Sequence, residues 1–454
     1  MAIFQSTDHS IATSNTGDPN SFAYCTSRER WPKILSSAID EIRTTLQKVG
    51  LSKADVEAGK RIESQVTTLR SVMLSDGALQ RIPGDGEADI EDYNIELDTL
   101  KDCTWLQSPW LYTECYMYRI LHTFFSMSTP FWQSFDLFTT SKQQSLVDSK
   151  KGAIELVKRF RGMLKAIADK EAVDEATQKA IFEEMVQICL WGNATDLSLL
   201  TSLSVEELDS RQGKAVRESS KKNVVVDDTD QAWKLLSNLK SSGSSGIIHI
   251  VLDNAGFELL TDLVFVGYLI ESGYAKKIVL HGKRMPWFVS DVNAPDLIYL
   301  VRGFADGTMY QDLDAEDNKE LQDTGKYWQS LMDSGKLIYE ADPFWTTHHP
   351  FGRMPAVSPS LFQELASADL VVYKGDLNYR KLSYDGVWPY DTPFSEVLGP
   401  LAKKHGGKGV RSLVLRTCKA DVCVALEPGR AETLEEGWTR TGKYAVVSYW
   451  DAKS

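Results

Sequence analysis

Gly246-Ile-Ile-His-Ile-Val-Leu-Asp253-Asn254-Ala-Gly256-Phe-Glu258 is the stretch whose reading decides the fold. Residues 247–252 form an uninterrupted, β-branched-rich apolar run, as expected of a strand covered on both faces. The run ends in a carboxylate and an amide, passes a glycine that permits a tight turn, and continues at helical spacing over 259–270. Open α/β sheets place their ligands at the carboxyl ends of their strands. A second apolar run, 277–281, leads through Lys283-Arg284-Met285-Pro286-Trp287 to another carboxylate, Asp291. Two hard oxygen ligands delivered from neighbouring strand ends suggest a divalent cation site. Asp and Asn are also favoured helix N-caps, and Asp291 reads equally as a cap or a solvated loop charge. Spacing alone leaves both readings open.

Four more strands follow the same pattern: 336–340, 369–374, 411–417 and 444–450, with a short helix over 361–367. Strands alternating with helices predict a mainly parallel, right-handed wound sheet with helices on both faces. The first half reads differently. Ile34, Leu35, Ile39, Ile42 and Leu46 follow Trp31-Pro32 at helical spacing, and Pro32 suits a first helical turn. Further apolar stripes run over 154–167 and 181–188, and the aromatic-rich piece 110–125 reads as a buried helix closed by Pro130. The expected organisation is a disordered tail over 1–20, a helical N-terminal region over 21–230, and an α/β metal-binding catalytic domain over 231–454. A charged connector is expected over 210–230, and the N-terminal helices are free either to pack on the sheet or to stand alone.

Composition narrows the function. A formal net charge of -13 argues against a general nucleic-acid binder. No apolar run approaches the ~20 residues of a membrane span. The polar first 20 residues lack the basic and apolar blocks of a secretory signal. The 6 cysteines form no Cys-x-x-Cys pair, and the 7 histidines are scattered, so free thiols and no His/Cys metal site are expected. Cytosol or nucleus is the compartment implied.

Other strand ends also carry charge. Tyr373-Lys374-Gly375-Asp376-Leu377-Asn378-Tyr379-Arg380-Lys381 reads as a loop whose Lys374, Arg380 and Lys381 neutralise a phosphate and whose Asn378 donates hydrogen bonds. The alternative is an exposed charged loop. Leu415-Arg416-Thr417-Cys418-Lys419 is another cationic strand end, and Cys418 between two cations is a weaker candidate nucleophile. In the helical half, Glu114, Arg119, Asn193 and Asp196 are candidates for the wall of a cleft, or are caps and core groups. There is no Gly-x-Gly-x-x-Gly and no Gly-Lys-Ser/Thr phosphate loop, so nucleotide-dependent kinase chemistry has little support.

Taken together, Trp191-Gly192-Asn193-Ala-Thr-Asp196, Leu252-Asp253-Asn254-Ala-Gly256-Phe-Glu258, Asp291, Lys374-Gly375-Asp376-Leu377-Asn378-Tyr379-Arg380-Lys381 and Arg416-Thr417-Cys418-Lys419 resemble the damage-control phosphatase family. The resemblance is to its eukaryotic branch of acidic-residue methyltransferase-like proteins, marked by an Arg-Thr-x-Lys signature. It implies a phosphatase dependent on Mn2+, Co2+ or Ni2+ that hydrolyses small phosphometabolites, including fructose phosphates. It assigns the metal to Asp253, Asn254 and Asp291, and catalysis to Asp253 and Asp291. Substrate binding falls to Glu258, Lys374, Asp376, Leu377, Asn378, Tyr379, Arg380 and Lys419, with Arg416 beside them in the cleft wall. The family also carries a proposed second activity, transfer of a methyl group from S-adenosylmethionine to protein glutamates, in which Glu258 and Asp291 would take part. A non-catalytic sugar-phosphate sensor on the same fold is the third possibility.

Overall fold

The computed structural model describes residues 8–169, 174–192, 221–402 and 409–452 of the 454. Seven strands form one sheet: β1 (Val224–Asp227), β2 (Ile247–Val251), β3 (Lys277–His281), β4 (Leu337–Glu340), β5 (Leu370–Lys374), β6 (Ser412–Thr417) and β7 (Ala445–Trp450), in the order β1-β7-β6-β5-β2-β3-β4. The strands from β2 to β6 are mutually parallel, whereas β7 runs antiparallel to β6 and carries β1 alongside it in parallel. All six expected strands are present within a residue of their predicted bounds. β1 was not expected: it is four residues long and lies inside the anticipated connector, where charged neighbours hide its three valines.

Period-2 alternation explains the burial. Ile248 and Ile250 of β2, Leu370 and Val372 of β5, and Leu413 and Leu415 of β6 share one core with helices on that face. Val251, Val371, Tyr373 and Val414 point to a second core on the other face. The helices of the first face include α1 (Lys150–Ala168), α2 (Glu175–Trp191), α3 (Phe257–Glu271), α4 (Ala294–Ala305) and α5 (Ala315–Asp333), and the helix Thr229–Ser241 joins them through Ala232, Trp233 and Leu236. The helices α1 and α2 thus belong to the sheet's own core, although they precede residue 230.

A third core joins the remaining N-terminal helices, among them Trp31–Leu46, Lys53–Leu74, Asp89–Leu100 and Trp110–Ser126. It takes in Met285 and Trp287 after β3, Leu377 after β5 and Ala420 after β6. The helical layer therefore caps the carboxyl edge of the sheet. Residues 8–20, expected to be a disordered tail, are stitched across this junction. Asp8 pairs with Arg353, Thr13 bridges Gly386, and Asn15 bridges Pro109. Ser14 and Thr16 are buried. Backbone pairing compensates the polar composition that suggested disorder. No helix among the described residues is long and apolar enough to cross a membrane.

Candidate functional site

The chain leaves β2 toward β3 and β4 on one side and returns to β5 and β6 on the other. The crevice beyond the carboxyl ends of β2 and β5 is thus a topological switch point, where open α/β sheets bind ligands. A cavity of about 360 Å³ opens there. Asp253, Asn254, Asp291, Asp376, Leu377, Arg380 and Lys419 line the sheet side, and Phe22, Arg30, Trp110, Glu114 and Lys142 line the helical side.

Asp253 and Asp291 meet because the loop after β3 folds back over the end of β2. Asn254 and Asp291 form an antiparallel bridge, Val292 N–H donates to Asp253 O at 2.9 Å, and Ala255 N–H donates to Ser290 O at 2.7 Å. Neither carboxylate caps a helix. The N-cap of α3 is Gly256, with φ 70° and no side-chain cap bond. The helix α4 is capped by Asn293 in a reciprocal box with Asp296. The capping alternative for Asp253, Asn254 and Asp291 is thereby removed.

The electrostatics below the cavity are unbalanced. Glu258 and Asp262 lie one turn apart on α3 and grip the Lys374 ammonium at 3.2 and 2.6 Å. Lys283 sits 3.2 Å from Asp291 Oδ2 and donates to Leu252 O at 3.1 Å. Asn254 Nδ2 donates to Asp253 Oδ2 and Glu258 Oε2, both at 2.8 Å, and its Oδ1 accepts from the Ser290 hydroxyl. Four buried carboxylates thus face two buried ammonium groups, with Lys419 and Lys142 acting on Asp253 and Asp291 from the cavity wall, so carboxylates outnumber the cations in direct contact with them. Burial, then Glu258 and Asp291, drive the Asp253 carboxyl well above the usual carboxylate range. Burial pushes Asp291 up to about 6 against the pull of Lys283, and its Oδ2 receives no well-aligned hydrogen bond. A divalent cation on the Asp253, Asn254 and Asp291 oxygens fits this site: it adds positive charge among the carboxylates and suits an all-oxygen donor set.

One other grouping has metal-like composition. His249, His281 and Glu364 bring ligand atoms within 4.8 Å of one another. However, His249 Nδ1 and His281 Nε2 face each other at 2.8 Å in rings inclined by only 15°, with centroids 5.1 Å apart. That is an end-on hydrogen bond. An ion bonded to both nitrogens at about 2.0–2.1 Å has no room on the line between them.

The family model for the damage-control phosphatase ARMT1-like domain matches residues 26–434. The chain belongs to this family. Among its relatives, the protein called damage-control phosphatase ARMT1 from Macaca fascicularis is 34% identical over 95% of this chain and 97% of its own. The Homo sapiens protein of that name is 34% identical over the same shares, and the Danio rerio one 35% over 94% of each. Among solved structures, the crystal structure of a DUF89 family protein from Pyrococcus horikoshii aligns at 15% identity and a TM-score of 0.37, covering 92% of this chain and 98% of that one.

Within this damage-control phosphatase fold, the residues anticipated for substrate binding divide. Asp376, Leu377, Arg380 and Lys419 reach the cavity, as does Glu114. The segment expected as a loop is helical over Gly375–Leu382, and four other candidates are turned inward. Lys374 and Glu258 are locked in the ion pair beneath Asn254. The Asn378 amide donates to Lys374 O at 2.7 Å, and the Tyr379 hydroxyl accepts from Val424 N–H at 3.0 Å. Arg416 is fully buried and donates to Asp376 at 2.8 Å and to the carbonyls of Ala420 and Val422, so it braces the loop. Arg119 is also fully buried and forms a fork with Asp85 and Asp89, away from the cavity lining. Cys418 is buried against Cys423, which with desolvation drives its thiol well up, so it is no nucleophile. Asn193 and Asp196 lie outside the described residues. Sequence reasoning missed Phe22, Arg30, Trp110 and Lys142 in the wall. No local pattern links them to a strand end more than a hundred residues away.

Proposed function

We propose that the protein is a divalent-cation-dependent phosphomonoester hydrolase acting on small phosphometabolites, sugar phosphates such as fructose phosphates foremost, in the cytosol or nucleus. The observation that carries this reading is the meeting of Asp253 and Asp291, among more carboxylates than contacting cations, in one cavity that also holds Lys419, whose ammonium has no ion-pair partner among the described residues. Asp253, Asn254 and Asp291 hold the cation, with Mn2+, Co2+ or Ni2+ as the candidates. When bound, the cation supplies Lewis-acid polarisation of the ester and lowers the pKa of a water.

The chain's own groups do the rest. Lys419 meets the phosphate charge, which is mainly an electrostatic task in phosphoryl transfer. Its position is fixed because its backbone N–H donates to Asp376 Oδ1 at 3.1 Å. Arg380 adds positive potential but is committed to Glu114 and Asp385 at 2.7 and 3.0 Å. Asp253 or Asp291 orients the attacking water, the alternative being attack on the phosphorus by Asp253 itself. Methyl transfer from S-adenosylmethionine makes no use of a cluster of carboxylates short of cations.

The test is steady-state phosphate release from a panel of sugar phosphates, with each of the three metals and with chelator, for the wild type and Asp253→Asn. Metal-dependent release that the variant loses is expected. Release indifferent to both chelator and substitution would overturn the reading, and binding without release would make the protein a sensor.

A further inference from the structure

Asn254 is the neutral member of the three cation-holding residues, and an amide can present either its oxygen or its NH2. The choice is made from below. The NH2 edge donates to Asp253 Oδ2 and to Glu258 Oε2, both at 2.8 Å. Glu258 carries the Lys374 ammonium on its other oxygen, Oε1, at 3.2 Å. A carboxylate paired in this way accepts hydrogen bonds and donates none. A flipped amide would set Asn254 Oδ1 against Glu258 Oε2, two acceptors face to face. Oδ1 is therefore the edge turned to the Ser290 hydroxyl, and Ser290 and Asn254 both line the cavity.

Glu258 itself is buried and does not line that cavity. Its place is set by a chain of contacts that runs into the core. Glu258 and Asp262 project one turn apart from α3, and Lys374, the last residue of β5, spans them. Asp262 accepts from Lys374 at 2.6 Å and from the Cys189 thiol of α2 at 3.1 Å. Asp262, Cys189 and Lys374 are all buried. Three elements, α2, α3 and β5, thus converge on one amide. The two oxygens of Glu258 divide the work: Oε1 anchors the side chain to Lys374, and Oε2 holds Asn254. Hydrogen-bond partners behind a metal ligand commonly change metal affinity when they are removed.

We infer that Glu258 is a positioning residue for the cation: anchored by Lys374, it locks the Asn254 amide with its oxygen available to a divalent ion, and so sets cation affinity without touching the ion or the ester. The inference rests on the cation-dependent reading above and deepens it. It moves Glu258, anticipated as a substrate contact, to the support of a ligand. It also gives the Lys374 pairing a use beyond charge balance, since an unanchored Glu258 would leave the amide free to turn.

The experiment is a double-mutant cycle on the full chain stripped by chelator. Mn2+ is titrated calorimetrically into wild type, Glu258→Ala, Asn254→Ala and the double variant. In Glu258→Ala the Lys374 ammonium keeps Asp262, so the fold is expected to hold, and Tm in chelator checks it. Loss of the support should raise the Kd for Mn2+ about ten- to a hundredfold in Glu258→Ala, and Asn254→Ala should raise it too. In the Asn254→Ala background the second substitution should cost about twofold or less, because its effect passes through the missing amide. An unchanged Kd in Glu258→Ala overturns the inference. Equal losses in both backgrounds also overturn it, because Glu258 would then act by its charge or as a ligand itself. Should Glu258→Ala fail to fold, Glu258→Gln takes its place in the cycle, since one amide oxygen cannot serve both Asn254 and Lys374. A wild type that binds no Mn2+, or an Asn254→Ala that binds it as tightly as wild type, overturns the cation reading and the inference with it.

Discussion

A β-carbon at Gly375 would stand 1.9 Å from Oδ2 of Asp253. Gly375 also holds φ +80°, a backbone state that side chains rarely adopt. The residue after β5 is thus a glycine because the carboxylate after β2 needs its space, and the switch point is built by that contact. In Gly375→Ala the Asp253 carboxylate must move away from Asn254 and Asp291. Phosphate release is expected to fall about a hundredfold, the scale of a small displacement of a reacting group. Stabilisation of the variant by Mn2+, followed by thermal melting, should shrink with it. Retention of both would show that Asp253 does not need its present position.

The excess of buried carboxylate makes a second expectation about stability. Without a cation, Asp253 is opposed by burial and by Glu258 and Asp291. Asp253→Asn removes a charge and keeps the shape, so its Tm in chelator should equal or exceed that of the wild type. Added Mn2+ should raise the wild-type Tm, with about 2.7 kcal/mol of stabilisation at a hundredfold excess over Kd, and leave the variant's nearly unmoved. Equal Mn2+ stabilisation of both proteins would place the ion elsewhere.

Two lysines of the motifs should behave in opposite ways. Lys374 is 1% exposed and paired to two carboxylates, so Lys374→Met strands both, at a cost of about 3–5 kcal/mol. A large fall in Tm is expected. Lys419 lines the cavity and its ammonium has no ion-pair partner to strand among the described residues. Lys419→Ala should keep its Tm and lose about 10²–10³ in kcat/KM, the scale of one lost electrostatic contact to a transition state. A Lys374→Met protein that melts normally but fails in catalysis would return Lys374 to the substrate.

The same pair marks how far the sequence could be read. Most of the strands β2 to β7 were legible because burial leaves short, largely apolar runs, Asp253 because it directly follows such a run, and Asp291 because it closes the loop after the next one. Which cation is free is a tertiary property. Lys374, Arg380 and Lys419 look alike in sequence, and only the positions of Glu258, Asp262, Glu114 and Asp385 separate the spent from the unspent. The helix over Gly375–Leu382 was hidden by its glycine start and polar content. Lys53–Leu74 and Ala315–Asp333 were hidden by sparse apolar stripes on long polar helices. Arg30 carried no local signal, since its place in the cavity wall depends on a helical layer closing over a distant sheet edge.

Buried histidines set an acid limit on the fold. His249 and His281 share their hydrogen bond under the sheet, with Lys277 and Lys283 as the cations acting on them, and burial holds them at about 4 and about 3. Burial likewise holds His348 at about 3, with His349 and Arg353 opposing its charge and Glu96 favouring it. The ordinary value is 6.5. As pH falls below 6.5 the unfolded chain takes up these protons while the folded chain does not, so unfolding is favoured. The stability these imidazoles contribute is therefore complete above pH 6.5 and drains away between 6.5 and about 4. Each proton sets a limit of about 1.4 kcal/mol per pH unit, and the hydrogen-bonded pair titrates jointly. Denaturant melts at pH 7.5, 6.5, 5.5 and 5.0 should show a plateau and then a steep decline, steeper than that of His348→Phe. A stability that stays level from pH 7.5 to 5.0 would mean that these rings are charged within the fold.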